Sequence, residues 1–304
     1  MRDGLGDLLA TVLFTFSLPI FRRLSPKNLA FMAKVMGAII FFFSKKYRER
    51  VISNLSVAFG NEKNRGEIET FAREVFFHFT LTPLEAIYLV ANTLPFERFI
   101  LKIKIKGKEH LEAALAKKRG VVALGGHLGA FTLLGTRLAV EGYPINFMIN
   151  QKYFPKLWKR LNAYQATTGQ KILLPETTTT SIKKSLNCLR RNEILYLIAD
   201  EYQKRGGLPV PFFGRTAYTP LGPAIFSLKT GAPILPMFVL RENRIQWTLV
   251  IGHPVEIEKT SNEKKNIEML TAKFTKAIED AVRQYPSQWP WLNSRWKLPP
   301  EKRE

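Results

Sequence analysis

Thiols are almost missing from this 304-residue chain: a single cysteine, Cys188, excludes an internal disulfide framework and any cysteine-built metal site, and fits a reducing compartment. Histidine is nearly as scarce, so His78, His110, His127 and His253 are the whole supply of side chains that titrate near neutral pH. Acid is short too. The 25 Asp and Glu face 46 Lys and Arg, leaving a net charge of +21 that calls for an anionic partner. Nucleic acid is not the expected one, because the chain carries no zinc-finger, RNP or helix-turn-helix signal and its aromatics sit in apolar runs instead of alternating with basic residues. The two GG pairs lack both the strand–GxGxxG–helix setting of a dinucleotide site and the Lys-Ser/Thr ending of a P-loop. What is abundant is apolar: 46% of residues are hydrophobic and 22 are Phe, enough for a large core and incompatible with disorder.

Two apolar stretches open the chain, residues 5–21 and 29–43, separated by Arg22, Arg23, Pro26 and Lys27 and closed by Lys45, Lys46, Arg48 and Arg50. A perpendicular crossing needs roughly 20 apolar residues, so both read better as a membrane anchor or as interfacial helices than as two crossings. The alternative is a pair of core helices. Asp3 and Asp7 spoil the basic leader of a secretory signal, and no small-residue cleavage site follows. The basic flanks suit an anionic cytoplasmic leaflet. Residues 1–47 are therefore expected to anchor the chain, and residues 48–304 to form the working domain.

Within residues 61–92, Ile68, Phe71, Ala72, Val75, Phe76 and Phe79 recur at helical spacing, with His78 as a packing or surface residue. From residue 101 short strand-like runs alternate with helices: strands at 101–106, 121–126, 145–150, 171–176, 193–200, 232–240 and 244–252, and helices at 109–118, 128–142, 155–169, 181–191 and about 264–284. Such alternation predicts an α/β fold with a mixed, largely parallel sheet flanked by helices. In open sheets of this kind ligands bind beyond the carboxyl ends of strands. Two of those ends carry chemistry. One is VVALGGHLGAF, where Gly125 and Gly126 permit a sharp turn and His127 stands at the strand-to-helix junction. The other is EILYLIADEYQKRGG, where Asp200 and Glu201 close an apolar strand and Lys204 and Arg205 begin a basic loop. A histidine at one strand end and carboxylates at another would make a base and its orienter.

The chain resembles the bacterial lipid A biosynthesis acyltransferases, the late lauroyl and myristoyl transferases of the lysophospholipid acyltransferase superfamily. The resemblance runs through RERVISNLSVAFG (48–60), GKEHLEAALAKKRGVVALGGHLGAFTLLG (107–135), ADEYQKRGGLPVPFFGRTAYTPLGPAIFSLKTGAPILPMF (199–238) and QWPWLNSRWK (288–297), in family order. The stretch Pro211–Ala224 is long and specific. It implies a glycerolipid acyltransferase-like fold, and a catalytic histidine followed five positions later by Asp or Glu. His127 matches the histidine. The acid position holds Thr132, which can orient an imidazole but supplies no charge.

The activity implied is transfer of a fatty acyl group from acyl carrier protein or acyl-CoA to a hydroxyl of a lipid A precursor, another glycolipid or a lysophospholipid. The implied place is the cytoplasmic face of a bacterial inner membrane, with no metal and no cofactor. His127 would be the base, with Asp200 or Glu201 as its charged partner, or Thr132 sufficing alone. N–H groups after Gly126 or around Gly214 would meet the oxyanion. Lys204, Arg205 and Arg215 would contact phosphate on the acceptor or on the donor's pantetheine arm. The competing reading is a catalytically impaired, membrane-bound lipid-binding relative. His110 reads as a capping or packing residue, His253 as a turn residue and Cys188 as core. Trp289, Trp291 and Trp296 suit either a membrane interface or the closing of the core.

Overall fold

The computed structural model describes residue 12 and residues 14–91, 99–148, 165–173, 178–203, 205–293 and 295–296. Residues 5–11 and 13 of the first apolar stretch, the helix expected at 155–169 apart from its end, and Lys204 lie outside the described residues.

Seven strands form one sheet: β1 (Lys104–Lys106), β2 (Val121–Gly125), β3 (Ile145–Met148), β4 (Lys171–Leu173), β5 (Ile194–Ile198), β8 (Ile234–Asn243) and β9 (Gln246–Ile251), in the order β1-β9-β8-β2-β5-β3-β4. Every neighbouring pair is parallel except β8 and β9, which form an antiparallel hairpin. The expected mixed, largely parallel α/β sheet is what the chain forms. Strand β2 lies in the middle, and all five of its residues are buried. That is why it reads as an unbroken apolar run: a central parallel strand is covered on both faces.

The side-chain alternation divides the core in two. Val122, Leu124, Leu195 and Leu197 pack on one face, while Val121, Ala123, Ile194 and Tyr196 pack on the other. The first face is covered by helices α2 (Lys45–Phe59), α3 (Arg65–Ala91), α7 (Gly222–Thr230) and α8 (Glu263–Gln284), through residues such as Leu55, Phe76, Phe226 and Phe274. Helix α6 (Thr178–Arg190) adds Cys188 and Leu189 to the same face. The second is covered by α4 (Lys108–Ala116) and α5 (Leu134–Val140), through Leu111, Leu134 and Leu138.

Helix α1 (Pro26–Phe43) starts at a Ser25 cap and lies against α3, with Ala33 and Phe77 in a third apolar cluster. Gly37 makes that approach possible, since a Cβ there would stand 3.0 Å from the Phe76 carbonyl oxygen and 3.1 Å from Phe77 Cα. The outward side of α1 is left bare: Phe31, Val35, Ile39, Phe42 and Phe43 are all exposed. By length and composition α1 and α3 could each cross a membrane, but half of the apolar window of α3 is buried within the protein.

Several local expectations need correction. Residues 128–142 do not form one helix: a loop runs from His127 to Ala130, a 3-10 turn covers Phe131–Leu133, and α5 begins only at Leu134. The backbone there is taken by other partners, because Gly129 N–H donates to the Gln288 carbonyl and Ala130 N–H to the Val239 carbonyl. Gly129 sits at φ +66°, and a Cβ would fall 2.2 Å from the Val239 oxygen. The run 101–106 is strand only from Lys104. Residues 208–219 were not expected as strands, yet β6 (Leu208–Phe212) and β7 (Arg215–Thr219) pair as an antiparallel hairpin closed at Phe213 and Gly214, both with positive φ.

Candidate active site

Strands β2 and β5 run parallel with Gly125 opposite Ile198. Two residues further along each strand stand His127 and Asp200, so the register alone brings them side by side beyond the carboxyl end of the sheet. Gly126 keeps the gap open, since a Cβ there would press on the Asp200 carboxylate at 3.1 Å.

Asp200 is 2% exposed and accepts three hydrogen bonds. The His127 backbone N–H donates to Oδ2 at 2.7 Å, the Trp289 indole N–H to the same oxygen at 2.7 Å, and His127 Nδ1 lies 3.0 Å from Oδ1. Burial pushes the Asp200 carboxyl upward, but the His127 charge and these donors outweigh it and hold it below the usual carboxylate range. An ionised carboxylate can only accept, so Nδ1 carries the proton and Nε2 is left free. For His127, burial lowers the pKa, while the charge and hydrogen bond of Asp200 and the charge of Glu201 raise it further, to about 9.

The other residues expected to orient the imidazole are elsewhere. Glu201 Oε1 is 3.9 Å from Nδ1, beyond hydrogen-bond reach, and accepts from Asn293 at 3.2 Å. Thr132 Oγ1 is buried without a hydrogen-bond partner among the described residues. Arg205, Gly214 and Arg215 are exposed and do not line the groove beside His127; Gly214 and Arg215 belong to the β6–β7 turn.

That groove, of about 450 Å³, has His127 and Thr132 in its wall, with Val75, Phe79, Pro83, Ala86 and Phe131 giving it an apolar lining. His78 and Thr82 face it from α3, and behind them lies a buried polar cluster that the sequence reading missed. Arg241 donates to both oxygens of Glu85, at 3.0 and 2.5 Å, and to Thr82 Oγ1 at 2.8 Å, while Trp247 Nε1–H donates to Glu85 at 2.8 Å. Burial and the Arg241 and Arg244 cations push His78 down to about 3, so it stays neutral and its Nδ1, 3.4 Å from Arg241 Nη1, is an acceptor. The signals were present: Glu85 interrupts the apolar run LTPLEAIYLV, and Arg241 follows an apolar strand. Charges in such places are kept buried only when paired.

The C-terminal segment ties both sides together. Gln288 accepts from Arg241 N–H at 3.0 Å and donates to the Arg241 carbonyl at 2.8 Å, and the next residue is Trp289. Trp289 and Trp291 are 3% and 0% exposed, so these tryptophans close the core and do not face a membrane. Cys188 is buried and its thiol pushed up to about 12, chiefly by burial, which fits a packing role. Among the described residues no cluster of His, Cys, Asp and Glu could hold a metal.

Comparison with known proteins points the same way. The chain is 29% identical over 198 residues to a phosphatidylinositol mannoside acyltransferase of Mycobacterium tuberculosis (strain CDC 1551 / Oshkosh), a match covering 63% of this chain and 59% of that protein. It is 24% identical over 216 residues to the lipid A biosynthesis lauroyltransferase of Escherichia coli (strain K12), covering 68% and 66%. With a lipid A biosynthesis acyltransferase of Haemophilus influenzae (strain ATCC 51907 / DSM 11121 / KW20 / Rd) it shares 22% over 272 residues, 84% and 83% of the two chains. The match thus spans about three fifths of the length of the mycobacterial relative. The sequence profile described as bacterial lipid A biosynthesis acyltransferase, by contrast, matches residues 8–298, and on that nearly complete match the chain belongs to the bacterial lipid A biosynthesis acyltransferase family.

Proposed function

We propose that the protein transfers a fatty acyl group from an acyl thioester, on acyl carrier protein or coenzyme A, to a hydroxyl of a sugar-bearing lipid, with His127 as the base and Asp200 as its charged partner. The observation that carries this reading is the hydrogen-bonded pair itself, His127 Nδ1 at 3.0 Å from a buried Asp200 beside an apolar groove. His127 Nε2 accepts the acceptor's hydroxyl proton as the oxygen forms its bond to the thioester carbonyl carbon. The tetrahedral intermediate then expels the thiolate, which takes the proton back from the imidazolium. Asp200 fixes the tautomer and balances the charge that His127 gains.

The oxyanion requires N–H donors, and the N–H groups of His127, Gly129 and Ala130 are already committed to Asp200, Gln288 and Val239. Those of Phe131 and Thr132, which open the 3-10 turn in the groove wall, have no acceptor among the described residues and could take that role. The groove's apolar residues take the fatty chain. Arg205 and Arg215, with Lys204, remain our candidates for phosphate on the acceptor or on the donor's pantetheine arm. The relatives' names, a mannoside of phosphatidylinositol and lipid A, favour a sugar hydroxyl as acceptor. The impaired-relative reading rests on Thr132; the Asp200 carboxylate beside Nδ1, two residues past β5, supports the active reading over it.

The bare apolar side of α1, flanked by Arg22, Arg23, Lys45 and Lys46, suits an interfacial anchor on the cytoplasmic face of an inner membrane. We take residues 1–47 as that anchor and residues 48–304 as the acyltransferase domain.

The test is transfer by purified protein in detergent, with acyl carrier protein and CoA donors offered to a lipid A precursor, a phosphatidylinositol mannoside and a lysophospholipid. Wild type should transfer to one of the sugar lipids, and His127→Ala should lose about 10²–10⁴-fold in kcat. Transfer by His127→Ala at the wild-type rate would overturn the mechanism.

A further inference from the structure

A cleft of about 570 Å³ opens between α1 and the β8–β9 turn, lined by Lys27, Ala30, Phe31, Lys34, Asn243, Arg244 and Ile245. Its charge is of one sign. Lys27, Lys34 and Arg244 have no ion-pair partner among the described residues, and no acidic side chain lines the cleft. The neighbouring Glu242 is engaged elsewhere, with Thr248 at 2.5 Å and Lys104 at 3.9 Å.

The cations are also placed in a pattern. Lys27 and Lys34 are seven residues apart, two helical turns, so they stand on one side of α1 with Phe31 between them. Arg244 reaches towards them from the sheet, its guanidinium stacked 5.3 Å over the Phe77 ring. Continuing along α1 from Phe31, the exposed residues Val35, Ile39 and Phe42 form an apolar stripe at spacings of four, four and three. A water-soluble anion would use the cations but leave that stripe in water. A bilayer lipid satisfies both, offering phosphate at one depth and hydrocarbon at the next.

We propose that this cleft seats the phosphate of an anionic membrane phospholipid, held by Lys27, Lys34 and Arg244, while the Phe31–Phe42 stripe enters the acyl layer. The proposal deepens the membrane reading given above, and it sets the protein's depth and rotation at the bilayer. Arg244 stacks on the residue next to His78, so the anchored lipid and the acyl groove flank the same turn of α3.

The test is flotation with phosphatidylcholine vesicles containing about 30 mol% phosphatidylglycerol, beside pure phosphatidylcholine vesicles, at about 0.15 M salt. Wild type is compared with Lys27→Gln/Lys34→Gln/Arg244→Gln and with Lys183→Gln/Lys264→Gln/Lys265→Gln, which removes the same charge from α6 and α8. Each juxtamembrane cation is worth about 1 kcal/mol, so the cleft variant should lose on the order of 100-fold in partition to the anionic vesicles. The control variant should lose less than about threefold, and partition to phosphatidylcholine should be alike in all three. Equal losses in both variants would mean bulk charge alone and overturn the proposal. So would displacement by soluble glycerol phosphate at constant ionic strength, or an intact partition accompanied by weakened binding of acyl carrier protein, which would make the cleft a carrier dock. Lys27→Glu/Lys34→Glu, both exposed on α1, repeats the test without touching the Arg244 stack. Transfer in detergent reads the catalytic reading separately, and should be unchanged in the cleft variants.

Discussion

His127 and Asp200 occupy equivalent positions two residues beyond a paired strand end, with Gly125 of β2 opposite Ile198 of β5, and the spacing of parallel strands sets their 3.0 Å contact. The pair is thus a product of sheet register, not of spacing along one helix. Asp200→Asn keeps the shape but presents an amide to Nδ1, so kcat should fall by about 10²–10⁴-fold and His127 should titrate well below its wild-type value. Proton NMR of the imidazole, followed against pH beside the rate, checks both.

The pH dependence has a definite sign. With His127 raised to about 9, only about one molecule in a hundred carries the neutral base at pH 7, so kcat/KM should climb nearly tenfold per pH unit and level off near pH 9. Stability moves the other way. The folded pKa lies above the unfolded 6.5, so the stabilisation is fully present below pH 6.5 and is lost as pH rises through about 9. Urea melts at pH 6 and pH 9.5 measure the loss; a flat rate profile between pH 7 and 9 contradicts the assignment.

Trp289 tests the support of the carboxylate. Trp289→Phe preserves most of the ring but removes the donor held 2.7 Å from Asp200 Oδ2, leaving a buried charged oxygen short of one partner. Unfolding free energy should drop by about 1–3 kcal/mol. The transfer rate should fall severalfold as the carboxylate gains freedom to turn.

Thr132 separates the two ways of supplying charge to the imidazole. Its hydroxyl makes no hydrogen bond among the described residues, and Nδ1 is already taken by Asp200. Thr132→Val should therefore keep transfer within about threefold of wild type, since the change removes no hydrogen bond that the free protein makes. Thr132→Glu should bring no gain, and it would set a second carboxylate in an apolar groove. A large gain in rate for Thr132→Glu would show that the Asp200 partnership is insufficient.

The Arg241–Glu85 pair should behave as a unit. Arg241→Met strands a buried carboxylate and should cost about 3–5 kcal/mol, whereas adding Glu85→Leu should recover much of it. Chemical denaturation of the two single variants and the double variant gives the coupling.

Much of this is legible in the sequence. Strand β2 announced itself as an apolar run, α8 as a periodic segment, and the histidine and carboxylate each stood where a strand runs out. Choosing Asp200 over Glu201 and Thr132 was beyond the sequence, because it turns on register between strands 73 residues apart. Residues 128–142 looked helical because their side chains have the right period, but hydrogen bonds from Gly129 and Ala130 to distant carbonyls claim the start of that run. The β6–β7 hairpin was hidden by its two prolines, Pro209 and Pro211, which weaken a strand signal although they are tolerated at an edge. Trp289 and Trp291 were ambiguous on composition alone, and only their burial decides them.

The double hydrogen bond between Gln288 and the Arg241 backbone has a consequence for the order in which the molecule becomes competent during synthesis. The ribosome delivers β2, β5 and β8 long before it delivers Gln288, so the sheet and the His127–Asp200 neighbourhood can assemble while the loop at Gly129 still lacks its partner and Asp200 its indole cap. The site then waits on the segment carrying Gln288 and Trp289, and a nascent chain stalled before it would hold the sheet while lacking both contacts.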